Sequence, residues 1–209
     1  MYTDKAGPQP YPTARLMNEE DIKQAKESYV DTARNAIAAG FDGVELHAAN
    51  GYLLEQFLNP NVNSLDNDYN GNYQARSKFV LEVARAVVDT IGAERTGIRV
   101  SPYGVFSDTG AFEGIEEAYT YLAEELAKLN LAYIHIVDHS PMGAPAVPRS
   151  IKEKIRDAFG GTIIISGGYD QERAEQDLAD GLGHLVAFGR PFIANPDLVH
   201  RMKTGAEIQ

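Results

Sequence analysis

The sequence predicts an α/β fold in which a parallel sheet is covered by amphipathic helices. A helix-then-strand unit returns five times along the 209 residues, and each strand segment is nearly continuously apolar, as strands buried under crossover helices are. The segments that follow strands, residues 48–74 and 102–114, are long, polar and aromatic, whereas those preceding strands are short. That asymmetry places chemistry at the strands' C-terminal ends.

Residues 1–17, with Pro8, Pro10 and Pro12, read as an extended leader. Asn18 stands as a helix N-cap before Glu19, Glu20 and Asp21, acids that favour the positive end of the helix dipole. Ile22, Ala25, Tyr29, Ala33, Ala36 and Ile37 recur at helical spacing up to Gly40, and a strand follows over 41–47. The unit repeats with Phe79, Val80, Val83, Val87 and Ile91 before a strand at 97–101. Ile115, Tyr119, Leu122 and Leu126 precede the strand 131–138, Ile151 and Ile155 precede 162–166, and Ala174 and Leu178 precede 182–188. A last helix begins near Pro196. No linker or low-complexity segment divides the chain, so residues 1–209 read as a single domain. Periodicity alone leaves barrel and open sheet both standing.

A net charge of −11 and a pI near 4.9 repel nucleic-acid phosphates and anionic lipid surfaces. No apolar run reaches membrane-spanning length, and a soluble, cytoplasmic protein is expected. The absence of cysteine removes disulfides, thiolate nucleophiles and thiolate metal sites. His135, His139, His184 and His200 have no metal-ligand spacing on one helix, and the acids Glu113, Glu116, Glu117, Glu124 and Glu125 read as a solvated helix face.

Strand alternation turns Glu45 and His47 away from the helices, with His47 at the strand's end and Asn50 and Tyr52 just beyond it. A lone histidine there is more often structural; with an amide and a phenol beside it, the group can surround one small ligand. The same alternation leaves Arg99 facing inward from an apolar strand, where a buried guanidinium needs an acceptor. Either a carboxylate such as Glu45 or a bound electron-rich ring or phosphate meets that need. The final two strands end in Ser166-Gly167-Gly168 and Ala187-Phe188-Gly189-Arg190, turns that expose backbone N–H groups and add a cation, as phosphate sites do. A phosphate-binding lyase or isomerase would need a lysine or carboxylate base at a strand end, and no lysine occupies an inward position.

Segment 41–58, containing Phe41-Asp42-Gly43-Val44-Glu45-Leu46-His47-Ala48-Ala49-Asn50-Gly51-Tyr52-Leu53-Leu54-Glu55-Gln56-Phe57-Leu58, closely resembles the signature of Old Yellow Enzyme flavoproteins. The resemblance continues through Gly97-Ile98-Arg99-Val100-Ser101-Pro102-Tyr103-Gly104, Ser166-Gly167-Gly168 and residues 187–198. It implies a partial TIM (β/α)8 barrel, strands 4 to 8 with their helices, that binds FMN and reduces activated C=C bonds of α,β-unsaturated carbonyls or nitro compounds with NADPH or NADH. By the same resemblance His47 and Asn50 donate to the substrate oxygen, and Tyr52 is the proton donor. Arg99 meets the flavin pyrimidine edge; Gly167, Gly168, Gly189 and Arg190 hold the phosphate beside Phe188; and Phe106 walls the substrate pocket. The nicotinamide enters that pocket and leaves before the alkene arrives, in ping-pong turnover.

The chain departs from the family pattern in the loop after the signature, where Leu65, Asn67, Asn70, Asn72, Gln74 and Ala75 replace its usual residues while Tyr69, Gly71 and Arg76 are kept. It is also short for a barrel, which usually needs about 250 residues. A five-strand piece should expose two unpaired edges and an apolar inner face. Self-association into a homo-oligomer, a complementing barrel fragment, or an unstable piece of a longer protein would each follow. The alternative to an enzyme is a catalytically silent fragment with a structural or weak flavin-binding role.

Overall fold

The computed structural model describes residues 2–3, 7–8 and 14–209. Two short strands, β1 (Tyr2–Thr3) and β2 (Gly7–Pro8), pair antiparallel; the remainder of the expected leader up to residue 13 lies outside the described residues. Helix α1 (Glu19–Ala38) starts at Asn18 through a capping box: Asn18 Oδ1 accepts from Asp21 N at 2.9 Å, and Asp21 accepts from Asn18 N at 2.8 Å. Strand β3 (Val44–Ala48) follows, then α2 (Leu53–Leu58), α3 (Tyr73–Ile91) and β4 (Thr96–Val100). The alternation continues through α4 (Ile115–Ala127), β5 (Tyr133–Val137), α5 (Arg149–Phe159), β6 (Ile163–Ser166), α6 (Gln171–Ala179) and β7 (Leu185–Ala187). Two helices, α7 (Arg190–Ala194) and α8 (Leu198–Thr204), follow. All five expected helix-to-strand units are present. The short α2 and α7 are additions, too brief for a helical period to stand out from the turns around them.

The strands lie in the order β3-β4-β5-β6-β7, every pair parallel. That order resolves what periodicity left open. Right-handed crossovers that each advance one place in the same direction put all the connecting helices on one face, the winding of a barrel wall rather than of a doubly wound sheet. Leu46, Ile98, Val100, Ile134, Ile136, Ile163 and Ile165 point into that helical layer and share one core with Val83, Val87, Leu126, Ile151 and Ile155.

The other face carries two registered rows, Glu45–Gly97–Tyr133 and His47–Arg99–His135. The expectation that this inner face is apolar holds only in part: alternation placed polar residues on β3 to β5 here, while Val137, Ile164, Leu185 and Ala187 make its β5 to β7 side apolar. The rows are cross-linked. His135 Nδ1 lies 3.0 Å from Glu45 Oε2 and its Nε2 lies 2.8 Å from Ser166 Oγ, while the Tyr133 ring crosses Gly97, where a Cβ would fall 2.3 Å from it.

The divergent loop after α2 is packed through the kept Tyr69 and Arg76 together with several of its asparagines. Phe57 stacks on Phe79 at 4.1 Å with Tyr69 edge-on to both, and the Tyr69 hydroxyl donates to Glu82 at 3.0 Å. Asn63 Nδ2 donates to the carbonyls of Phe57 and Tyr69, Asn70 to that of Leu65, and Arg76 Nε to that of Leu58. Asn72 caps α3, accepting from Ala75 N at 2.9 Å. Phe79→Ala should cost about 3–5 kcal/mol by emptying the centre of this cluster, and Asn72→Ala about 1 kcal/mol through the lost cap; urea denaturation of the two variants checks the ranking.

Candidate active site

The turn after β3 is built to hold a fixed shape. Ala48 and Ala49 are fully buried, and the chain then reverses through Asn50 at φ 60° and Gly51 at φ 73°. A side chain on Gly51 would be strained by that φ, and its Cβ would lie 2.4 Å from the Phe106 carbonyl oxygen of the next loop. Buried Glu55, reaching back from α2, pins the turn: its Oε2 accepts from Gly51 N at 2.5 Å and its Oε1 from Ser101 Oγ at 2.6 Å. Ser101 Oγ in turn accepts from Asn50 N at 2.9 Å. Burial raises the Glu55 pKa, with the bonds from Ser101, Gly51 and Tyr119 acting in opposition.

This frame presents His47, Asn50 and Tyr52 together. The His47 ring is 4.9 Å from that of Tyr52 and tilted 45° to it, and Tyr52 is largely exposed. Burial, and then the nearby Arg99 charge, lower the His47 pKa, so the imidazole is held neutral and able to donate. His139, from the loop after β5, brings Nε2 to 2.6 Å from Asn50 Oδ1, and Phe106 stands edge-on to the His139 ring at 4.8 Å and 83°. His139 belongs to the site although the sequence singled it out only as an unconvincing metal ligand. Its contacts are 89 and 33 residues away, and no local spacing announces them.

Arg99 lies in register beside His47. Glu45, the candidate structural partner, accepts instead from His135 Nδ1, and Arg99 Nε is the one buried side-chain nitrogen or oxygen among the described residues that has no hydrogen-bond partner. It lines a cavity of about 430 Å3 together with Gly167, Gly168, Phe188, Gly189 and Arg190 of the candidate phosphate turns; His139 lines it too. Gly167, at φ 129°, could take no side chain, since a Cβ would fall 2.2 Å from the Asp138 carbonyl oxygen. Asp138, at the cavity wall, is burdened by burial, yet the Ser140 N–H at 3.0 Å and the buried Lys152 ammonium at 3.1 Å outweigh it and hold the pKa low. The acid's charge is thereby met by its own cation. The sequence-derived residues thus form two adjoining groups: Arg99 and the glycine turns share the cavity, and His47 at the end of β3, with Asn50, Tyr52 and Phe106 on the loops, stands beside it, joined to it through His139.

Residues 3–209 match the sequence model of the NADH:flavin oxidoreductase / NADH oxidase family. The chain belongs to that family. A chanoclavine-I aldehyde reductase of Penicillium roqueforti is 42% identical over 201 residues, covering 93% of this chain and 54% of the relative, and 12-oxophytodienoate reductase 1 of Oryza sativa subsp. japonica is 40% identical over 203 residues, covering 95% and 53%. Among solved structures, morphinone reductase superposes with a TM-score of 0.93 at 38% identity, covering all of this chain and 56% of that one. The old yellow enzyme homologue from Zymomonas mobilis gives 0.89 at 32% identity, covering 98% and 58%. The chain therefore spans about half the length of the family members it matches, and its five-strand sheet is a partial barrel.

The histidines make the candidate site sensitive to acid. Both His47 and His139 have pKa values lowered from 6.5, chiefly by burial and then by Arg99, so the unfolded chain binds protons that the folded chain refuses. The stability their neutral forms provide is fully present above pH 6.5 and is lost as pH falls from there through the depressed folded values. Urea titrations should show stability falling from pH 7.5 to pH 5.5, with a shallower slope in His47→Asn and His139→Asn; an unchanged slope in both variants would contradict the assignment.

Proposed function

We propose that this chain is the FMN-gripping part of an ene-reductase, carrying barrel strands 4 to 8, which reduces activated C=C bonds of α,β-unsaturated carbonyls or nitro compounds with NADPH or NADH. One observation carries the reading: a buried Arg99 nitrogen lacking a hydrogen-bond partner faces the same cavity as two glycine turns and a second arginine. FMN suits that arrangement. Its pyrimidine edge offers the acceptors that Arg99 lacks, and its phosphate suits the N–H groups of Gly167, Gly168 and Gly189 with the Arg190 guanidinium. The glycines Gly167 and Gly168 admit no side chain without collision, which keeps the backbone open to a ligand.

When bound, FMN supplies the hydride chemistry. The chain's own groups prepare the substrate. His47 and Asn50 donate hydrogen bonds to its carbonyl or nitro oxygen, polarising the alkene and stabilising negative charge as it develops there. Tyr52 delivers a proton to the α-carbon, and Phe106 closes one side of the pocket. The relatives named as reductases of chanoclavine-I aldehyde, 12-oxophytodienoate and morphinone, and a morphinone reductase structure with tetrahydroNAD, support a carbonyl-bearing substrate and a nicotinamide donor.

A second reading is favoured by the open sheet. β3 and β7 have no further strand partner among the described residues, an apolar groove of Tyr29, Ala33, Val44 and Leu46 runs beside β3, and Leu185 and Ile193 are exposed near β7. A second copy or a complementing fragment would complete the wall; without one, the chain is a silent, weakly flavin-binding piece. Absorbance spectra decide between them. The purified chain with FMN should be yellow, bleach with NADPH and recover colour with an enone, and Tyr52→Phe should slow recovery by about 10²-fold or more while leaving bleaching intact. Bound flavin that neither bleaches nor recovers supports the silent fragment.

A further inference from the structure

Resting on the donor role given to Asn50, we propose that His139 is a positioning residue: its Nε2–H grips the Asn50 carboxamide oxygen and so turns the carboxamide nitrogen toward the substrate. A carboxamide is nearly symmetric in shape but opposite in hydrogen bonding at its two ends, and a half-turn exchanges a donor for an acceptor. The turn around Asn50 fixes only its backbone, through the bond from its N to Ser101 Oγ and its left-handed φ of 60°. Nothing on that turn chooses which end of the carboxamide faces the site. The contact from the neighbouring loop does: Asn50 Oδ1 can only accept, so the nitrogen 2.6 Å away, His139 Nε2, carries the proton.

His139 is itself held in place. Its carbonyl accepts from Met142 N at 2.8 Å and Ala144 N at 3.3 Å, and Phe106 packs edge-on to its ring. The charged and titratable groups that act on it are Arg99, Asp138 and His47; burial and Arg99 favour its neutral form, which has a single N–H to give. With that N–H committed to Oδ1, Asn50 Nδ2 is left without a protein partner among the described residues. It is free to donate to a substrate oxygen beside His47. A flipped carboxamide would set an acceptor against developing negative charge, turning a stabilising contact into a repulsive one.

The test uses the full chain loaded with FMN and 2-cyclohexen-1-one as probe. His139→Ala should lower kcat by about tenfold, a part of the ~10²–10³ that loss of a whole donor costs, and His139→Gln, which keeps an N–H within reach of Oδ1, should recover most of it. In the Asn50→Ala background, His139→Ala should add no further loss, because the group it positions is gone. Independently of turnover, long-range 1H–15N NMR of the histidine-labelled chain should show His139 as the Nε2–H tautomer, and Asn50→Ala should shift that resonance. An Nδ1–H tautomer, a Gln variant as slow as the Ala variant, or losses that multiply in the double variant would overturn the proposal. A wild-type chain inactive on the enone would sink the ene-reductase reading instead, while the tautomer still decides the contact.

Discussion

Arg99, half-buried but with its Nε buried and unpartnered, is the constraint around which the site is arranged. A buried N–H left without an acceptor costs about 1–3 kcal/mol, and nothing in the sheet supplies the acceptor for its Nε. Glu45, the natural candidate, is spoken for by His135, whose other nitrogen meets Ser166. The inner face therefore pairs Glu45 with His135 while leaving the Arg99 side chain at the wall of a cavity. Burial, and then the same cation, lower the pKa of both neighbouring histidines, so Arg99 adds to a neutrality that burial already favours.

The second requirement is rigidity in the loops that face this cation. Glu55, Ser101 and the Gly51 amide form a closed set of hydrogen bonds that ties the β3 turn to the end of β4, and the Phe106 carbonyl leaves no room for a side chain at Gly51. His139 then ties the β5 loop to the same turn. Three successive strand ends are thus joined by side chains rather than by sheet hydrogen bonds, which lets the proposed donors His47 and Asn50 keep their geometry on an open wall. Preorganised donors of this kind stabilise charge without reorganising as it appears.

Much of this was legible in the sequence, and the reasons it was legible are physical. Strict alternation along Gly43–His47 and Gly97–Ser101 fixes which residues face inward, so Arg99, Glu45 and His47 could be placed from spacing alone. Helix-stopping glycines and the Asn18 cap marked the ends of α1 and α3 to within a residue or two. What stayed hidden depends on contacts between distant segments. Glu55 reads as one more helical acid until Ser101, 46 residues away, is seen to donate to it. His139 reads as a stray histidine, and the polar character of the inner face over β3 to β5 was missed because an open sheet was expected to show hydrocarbon where the registered rows in fact pair Glu45, His135 and Tyr133. The altered loop at 65–76 is tied down by Asn70, Asn72 and Arg76 side chains bonded to backbone groups, which composition cannot reveal.

The central claim is that Arg99 and the Arg190 turn grip two ends of one flavin nucleotide. Dissociation constants of FMN and of riboflavin, measured by quenching of flavin fluorescence on the wild-type chain, Arg99→Leu and Arg190→Ala, test it directly. Loss of one charge-assisted bond should weaken binding by about 10- to 100-fold: Arg99→Leu should do so for both ligands, and Arg190→Ala for FMN alone, since riboflavin has no phosphate. Equal affinities of all three proteins for FMN would contradict the account.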